Sequence, residues 1–563
     1  MTKYTAPVDD MVFILDTVYR IGDLNPECDL ETIQTILNEA GKLAKFTLSP
    51  LNATGDKTGC SLIDGNVTTA AGFREAYTEF KDSGWNGLPF DGKYGGQDLP
   101  WLLAFCVQEM WQAANMAFGL CPLLAQGAIE TLHTYGTDSQ KDTYLRKLVS
   151  GEWTGTMNLT EPQAGSDLSD LRTTAVRQDD GTFRLFGQKI YITYGEHDFT
   201  ENIIHLVLAR CGDAPEGTKG ISLFLAPKFI PGKDGNPSQR NDLYCSGIEH
   251  KLGIHASPTC TMQFGNEGHG AYAELVGGEN EGLKAMFTMM NNARLSVGLQ
   301  GIAIADRAIQ AAYAYAAERV QGKPLSGGED QIPIIKHEDV QRMFRTCGSL
   351  IYAMRLLALE AATSMDIAKK GDEKAKARVD FLTPVVKAFC TDRAVDITSE
   401  AIQIFGGMGF IEETGAAQYF RDARILPIYE GTNGIQGNDL MFRKIVKDRG
   451  ETLQVICEEM KSVMPEDMQN HAKDLEALKN IILECADKSE ISKLGYAAGP
   501  LLTYLGYILC AWMVHKAEKI SATKSLKNSE PYQTLLRHKD DFLCFNAPLV
   551  EGYKKQVFTI LEK

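Results

Sequence analysis

An α+β fold in four parts is what this sequence predicts: a helical N-terminal domain, a middle β domain, a second helical domain and an additional C-terminal helical region. Three observations carry that expectation. Apolar residues recur at helical spacing through Met11–Val18, Ile33–Phe46 and Trp101–Leu132. Between Arg172 and Phe264 the texture changes to strand-like runs broken by turn residues. From Asn280 the helical pattern returns and runs, with few breaks, to about Lys447. A chain of 563 residues is also too long for one compact core.

In order, residues 1–155 read as a helical domain with an N-terminal extension. Inside it GLPFDGKYGG (Gly87–Gly96) almost matches a phosphate-binding loop, but Tyr94 stands where a hydroxyl must reach magnesium and no strand precedes it. A structural loop is expected there. Residues 156–278 form the β domain, with TFRLFGQKIYIT, NIIHLVLAR, GISLFLAP and CTMQF as strands, an Asp-Asp-Gly turn at 179–181 and a Gly/Pro-rich excursion at Pro231–Pro237. Residues 279–450 are helical again, with Gly322–Pro333 as the main break. Residues 451–563 add a further set of amphipathic helices.

Composition narrows the function classes. Hydrophobic content of 44% and charged content of 23% are globular values. A formal charge of −16 opposes general binding to nucleic acid or acidic membranes, so an anionic ligand needs its own local Lys or Arg. The 13 cysteines are scattered, odd in number and without a CxxC pair, which suits reduced thiols rather than a disulfide framework or zinc site. The histidines form no HExxH, and no metal site is expected. Asp9 and Asp10 interrupt the N-terminus before any long apolar run, unlike a signal peptide. The longest apolar stretch, Leu501–Val514, is too short to span a bilayer and reads as a buried helix. A soluble, cytoplasmic protein is expected.

Several stretches admit a bland and a chemical reading. In RDARILPIYEGTNGIQGNDL (Arg421–Leu440), Thr432 and Asn433 are both good N-caps for a following helix. Glu430 then lies just ahead of a helix N-terminus, either as an ordinary acid favoured by the dipole or as a base on a short loop facing a pocket. MNLTEPQAGSDLSDLRT (Met157–Thr173), placed between helix and strand, is a surface turn or a row of backbone N–H groups for a ligand. GQKIYITYG (Gly187–Gly195) is a strand unless something flat packs on it. Arg319 in AERVQGKPL ends a helix as a solvated charge or an anion clamp. QIFGGMGF (Gln403–Phe410) is a glycine helix stop or a backbone bared for a ligand. No GxGxxG follows a strand, so a Rossmann site has no support.

Taken together and in this order, TEPQAGSD, GQKIYIT, AERVQGK, QIFGGMGF and IYEGTNGIQ resemble the acyl-CoA dehydrogenase family, over roughly residues 70–450. The opening YTAPVDDMVFIL, the length and the helical tail resemble a subgroup of longer chains that includes 3-methylmercaptopropionyl-CoA dehydrogenases. The resemblance implies a middle domain of β-barrel or sandwich type and a C-terminal four-helix bundle. It implies an FAD flavoprotein of fatty-acid metabolism that introduces a trans-2 double bond into an acyl-CoA thioester. Glu430 falls on the catalytic base. Met157, Leu159, Thr160 and Ser166 fall on the flavin loop, with Ser166 also near CoA. Tyr191, Ile192 and Thr193 match the strand beside the flavin, and Arg319 matches the arginine that meets the FAD pyrophosphate across a subunit boundary. Gln403, Gly406 and Gly407 match the adenosine-side FAD loop, and Thr432 a further FAD contact. Asn291, Arg294 and Gly431 match substrate contacts. Three positions depart from the pattern: Met157 replaces an aromatic residue, Gly434 a Gln and Asn291 an Asp.

The resemblance also implies electron-transfer flavoprotein as acceptor, and a homodimer is expected because the tail would mask the second interface that shorter relatives use. Two alternatives share the fold. One is an oxidase passing electrons to oxygen; the other is a DNA-binding relative with a helical C-terminal addition. The stretch 451–563 carries 16 acidic and 14 basic residues, so it has no net positive field. The flavin motifs predict that purified protein is yellow, with about one FAD released per chain on denaturation. Colourless protein that takes up no FAD on reconstitution contradicts the resemblance.

Overall fold

The computed structural model describes residues 4–328, 330–466, 468–522 and 526–563. The chain divides into two compact units: Phe46–Leu99 with Ala114–Ala293, and Met1–Lys45 with Pro100–Ala113 and Arg294–Lys563.

The first unit is built on a sheet of β1 (Thr154–Asn158), β2 (Thr174–Arg177), β3 (Phe183–Thr193), β4 (Ile203–Cys211), β5 (Ser222–Pro227), β6 (Leu243–Ile248), β7 (Thr259–Phe264) and β8 (Ala271–Val276). The order is β6-β7-β3-β8-β5-β4-β1, and β2 pairs with both β3 and β4. The pairs β3–β8–β5–β4–β2–β3 therefore return to their start, closing a ring around Phe183, Leu185, Val207, Phe224 and Leu243. Closure removes the edges within those five strands, while β6 and β1 each pair on one side only.

Strands extend beyond the expected span at both ends. All five residues of β1 are buried, so it shows no alternation, and it pairs parallel with β4. The loop after Met157, expected between helix and strand, in fact joins two strands. The Gly/Pro-rich excursion is the tip of a hairpin between Phe229–Pro231 and Pro237–Arg240. A second hairpin, Ser61–Ile63 with Asn66–Thr68, interrupts the N-terminal helices. Its turn, Asp64-Gly65, has φ of 50° and 76°, the two left-handed residues of a type I′ turn.

The second unit is helical. Its main elements are α1 (Gly282–Glu318, from Arg294 onward), α2 (Glu338–Lys369), α3 (Glu373–Phe405), α4 (Asn433–Asn438) and α5 (Ile491–Ser521). α3 is the central one. Gly298 and Gly301 let α1 approach its backbone, since a Cβ at Gly298 would stand 2.9 Å from the Val386 carbonyl oxygen and one at Gly301 2.7 Å from that of Cys390. Across the unit, Arg355 of α2 and Glu109 of the helix Trp101–Ala114 form a buried pair at 2.6 Å, with Asp306 of α1 at 3.7 Å. Asp366 accepts from the first N–H groups of that helix, Trp101 and Leu102, at 2.8 and 2.9 Å.

Among the described residues the C-terminal region folds into five helices, Glu451–Val463, Gln469–Asp487, α5, Glu530–Phe545 and Leu549–Glu562. α5 is far longer than its apolar run: 31 residues, with a best-window mean hydropathy of 1.5 and 83% of that window buried inside the protein. It packs on α2, α3 and α4. Lys516 of α5 pairs with Glu360 of α2 at 2.7 Å, and Arg378 of α3 meets the same carboxylate at 3.1 Å. Leu475, Leu478 and Ile482 are fully buried beside it. The 13 cysteines are all unpaired thiols.

Because α5 covers the apolar backs of α2 and α3, removing residues 451–563 uncovers a large apolar surface. The deletion is expected to yield aggregated or higher-order protein, not a clean active species. Light scattering on full-length and truncated protein measures this, and a monodisperse, active truncation would show that the region docks without covering core.

Candidate active site

In the helical unit the decisive segment runs from Ile425 to Gln436. Glu430 has φ of 55° and Gly431 of 84°, two successive left-handed residues, of which only the glycine adopts that shape freely. The pair is clamped from both sides. Before it, the Tyr429 hydroxyl donates to Gln300 Oε1, and Gln300 Nε2 donates to Gln112 Oε1 at 3.1 Å. After it, the Asn433 N–H returns to the Pro427 carbonyl at 3.0 Å, and the Asn433 amide donates to Ala388 O, Thr391 Oγ1 and Asp392 Oδ1 of α3 at 3.1, 3.0 and 2.7 Å. Thr432, not Asn433, is the N-cap, accepting from Ile435 N–H at 3.3 Å. Gln436 Nε2 closes the loop onto the Glu430 and Gly431 carbonyls at 3.4 and 3.3 Å.

A cap effect would lower the proton affinity of Glu430. Burial does the reverse, pushing its pKa up from 4.5 to about 7 against the pull of Arg294 and Lys387. Desolvation thus outweighs both cations, which is the environment a base on a buried loop needs. Arg294 is buried on α1, and its Nη2 lies 3.6 Å from where a Gly431 Cβ would be. The Glu430 N–H has no acceptor among the described residues, leaving a donor beside the carboxylate.

Arg319, Gln403, Gly406 and Gly407 lie elsewhere. They cluster at the C-terminal ends of α1 and α3, where Tyr315 stacks on Phe405 at 4.6 Å. At 1.5 Å per residue, Arg319 is roughly 37 Å along α1 from Arg294. One chain therefore does not bring them to Glu430. All four are exposed, Arg319 has no ion pair among the described residues, and a Cβ at Gly406 or Gly407 would meet nothing within 4 Å. A guanidinium beside an open glycine backbone leaves room for an anionic nucleotide, with Arg319 supplying the positive charge.

In the β unit, Met157 is the buried penultimate residue of β1, and Leu159 and Thr160 follow it half-buried. The Thr156 hydroxyl donates to the Thr193 carbonyl at 2.7 Å, and Ile190 N–H to the Thr160 carbonyl at 2.9 Å. Thr160, Ile192 and Thr193 are thereby brought to adjacent backbone. Ile192 is buried, whereas Tyr191 stands 61% exposed with φ of 61°. Ser166 is exposed within the loop, and Asn291 is half-buried on α1. Both amide atoms of the neighbouring Asn292 are buried without a partner.

Two residues of this unit escaped the sequence reading. Lys189 is fully buried; its Nζ donates to the Leu159 carbonyl at 3.0 Å and to Glu161 at 2.8 Å. The Glu161 carboxylate also accepts from Arg172 N–H, Thr173 N–H and the Thr173 hydroxyl at 2.7, 3.0 and 2.6 Å. Burial raises its proton affinity, but Lys189 and these donors outweigh it and hold the pKa at about 2. The knot ties the start of the loop to its end. The signal available was a lone Lys at an inward position of an alternating strand.

Comparison with known proteins decides the family. Models of the acyl-CoA dehydrogenase N-terminal, middle and C-terminal domains match residues 64–152, 156–266 and 280–444. The chain belongs to the acyl-CoA dehydrogenase family. It is 49% identical over 465 residues to a 3-methylmercaptopropionyl-CoA dehydrogenase of Ruegeria pomeroyi, covering 81% of this chain and 78% of that one. In fold it is similar to Caenorhabditis elegans ACDH-11, solved with C11-CoA (TM-score 0.76, 20% identity, 99% of this chain and 96% of that one). It also matches a chain solved in work on the electron transferring flavoprotein of Acidaminococcus fermentans (TM-score 0.59, 28% identity, 73% and 97%). This acyl-CoA dehydrogenase is an FAD-dependent oxidoreductase acting on acyl-CoA, and the open Gly406–Gly407 backbone fits that cofactor.

The raised Glu430 carboxyl has a cost in stability with a defined sign. A folded-state pKa above the unfolded value contributes stability below about pH 4.5 that is lost as pH rises through about 7. Glu430→Gln should therefore be at least as stable as wild type at pH 8, by up to about 3 kcal/mol, with the gain shrinking toward pH 4.5. Denaturant unfolding of both proteins at the two pH values checks this. A variant less stable at pH 8 would mean that the ionised carboxylate is well paired and not desolvated.

Proposed function

We propose that this dehydrogenase acts on a short acyl thioester bearing a thioether at C3, of the 3-methylmercaptopropionyl-CoA type, with Glu430 as the base. The observation that carries the substrate class is the 49% identity over most of both chains. Glu430 takes the α-proton; its carboxyl, near pKa 7, holds that proton without needing a strong base elsewhere. The Glu430 N–H faces the thioester carbonyl as enolate character develops. Arg294 fixes the ligand by a charge-assisted contact beside Gly431, and Ser166 and Asn291 meet its CoA portion. FAD, when bound, supplies the acceptor for the β-hydrogen and its electron pair. Met157, Leu159, Thr160, Ile192, Thr193 and Thr432 hold the ring system.

Arg319, Gln403, Gly406 and Gly407 are too far along their helices to serve the Glu430 of their own chain, which supports their serving a second protomer's cofactor in a homodimer. The ring of strands is read as a small barrel, and α1–α3 with the segment after α4 as a four-helix bundle. Electrons leave to an electron-transfer flavoprotein, a reading supported by the similarity to the Acidaminococcus chain. The reduced thiols suit a cytoplasmic setting.

A panel of straight-chain and thioether acyl-CoA substrates with an artificial acceptor tests the proposal. The thioether substrate should give the highest kcat/KM. Glu430→Gln should keep FAD and bind acyl-CoA yet lose at least about a thousandfold in the rate of flavin bleaching. A variant that bleaches near the wild-type rate would place the base elsewhere.

A further inference from the structure

Lys387 of α3 is completely buried, yet no carboxylate of the described residues lies within ion-pair distance of it. Its Nζ donates to one group, the Asn433 side-chain oxygen, at 2.8 Å. An ammonium with three donors is costly to bury on one neutral acceptor, so some charge must compensate it at longer range. The charges that reach it are Glu430 foremost and then Asp392, opposed by Arg294. Around Glu430 the cations are Arg294 of α1 and Lys387 of α3. Arg294 is itself offset by Asp439 before Glu430, and opposed by Arg443. Glu430 thus feels Arg294 most and Lys387 second, while Arg294 answers first to Asp439 and Lys387 answers first to Glu430.

Geometry makes this arrangement specific. Asn433 stands three residues past Glu430 and spends its amide hydrogens on Ala388, Thr391 and Asp392. Its oxygen is thereby forced toward Lys387 and cannot flip without losing those bonds. The same side chain pins the left-handed Glu430–Gly431 pair and fixes where the ammonium sits.

We propose that Lys387 is a positioning residue for α-proton abstraction: anchored by Asn433 on the loop that carries Glu430, it is a second counter-charge beside Arg294 that helps the Glu430 carboxylate ionise before the base takes its proton. The inference rests on Glu430 being the base. Burial pushes the two groups toward each other, Lys387 down and Glu430 up, both to about 7. Removing the cation therefore raises the pH at which Glu430 becomes competent.

The test uses FAD-loaded holoenzyme and the variants Lys387→Met, Lys387→Arg and Asn433→Ala. In Lys387→Met the acidic limb of kcat/KM should move up by about one unit, giving roughly tenfold loss at pH 6 but less than about twofold at pH 9. Lys387→Arg should restore the limb, and Asn433→Ala should shift it part-way. A second reading does not depend on turnover: the carboxyl band of Glu430, isolated in infrared differences between proteins with Glu430 and with Glu430→Gln, should titrate higher when Lys387 is Met. Loss equal at all pH values, or an unmoved carboxyl titration in folded protein, would overturn the proposal. If the carboxyl moves but no variant affects proton abstraction, the coupling stands and the assignment of Glu430 as base fails instead. Should Lys387→Met not fold, Asn433→Ala carries the same comparison.

Discussion

Proton abstraction from a weak carbon acid asks a carboxylate to be dry enough to be basic and still able to ionise, and those demands oppose each other. With Glu430 as the proposed base, the helical unit resolves them by backbone placement. Glu430 occupies a left-handed conformation that costs on the order of 1 kcal/mol for a residue with a side chain. Such a shape persists only where the surroundings over-determine it. Here Tyr429 is held through Gln300 to Gln112, and Asn433 is held by three groups of α3. The strain is local, and the restraint comes from three helices.

The β unit answers a parallel problem with a different device. A loop that must present its backbone to a ligand cannot also spend that backbone on a ladder. The Glu161–Lys189 pair holds the loop instead, drawing in Leu159 O, Arg172 N–H and Thr173 N–H at once. A buried ion pair is weak evidence for stability, since desolvation of both partners offsets their attraction. Its value lies in fixing one arrangement of the Met157–Thr173 segment, with every oxygen of Glu161 satisfied.

How much of this could be read beforehand depended on whether the determinant was local. Glu430 just ahead of Gly431, the Thr432 cap and the bare Gly406–Gly407 turn are short-range features, and the sequence displays them. β1 was missed because a strand buried on every residue loses its period, and the hairpin at Asp64-Gly65 because its strands are three residues long. Lys189, Lys387 and Asn433 were silent for another reason. Their roles are set by partners 28 to 46 residues away, and no spacing rule encodes such pairs. The same applies to α5, whose 31 residues include a 14-residue apolar run but whose Lys516 and Tyr507 are placed by Glu360 and Arg393, more than a hundred residues away.

The C-terminal region bears on the site through dielectric rather than contact. Residues 386–391 of α3 face α1 at Gly298 and Gly301, and Asn433 from the loop. On a further side Phe389 packs edge-on against Tyr507 of α5 at 4.8 Å. Lys387 lies in the middle of this segment. With α1, the loop and α5 in place no water reaches it, so its field is not screened on the way to Glu430. Without α5 one flank of α3 would be wet, and the effective dielectric around the pair would rise. In the role proposed for Lys387, α5 thereby strengthens its pull on Glu430 through the flank of α3 that it covers.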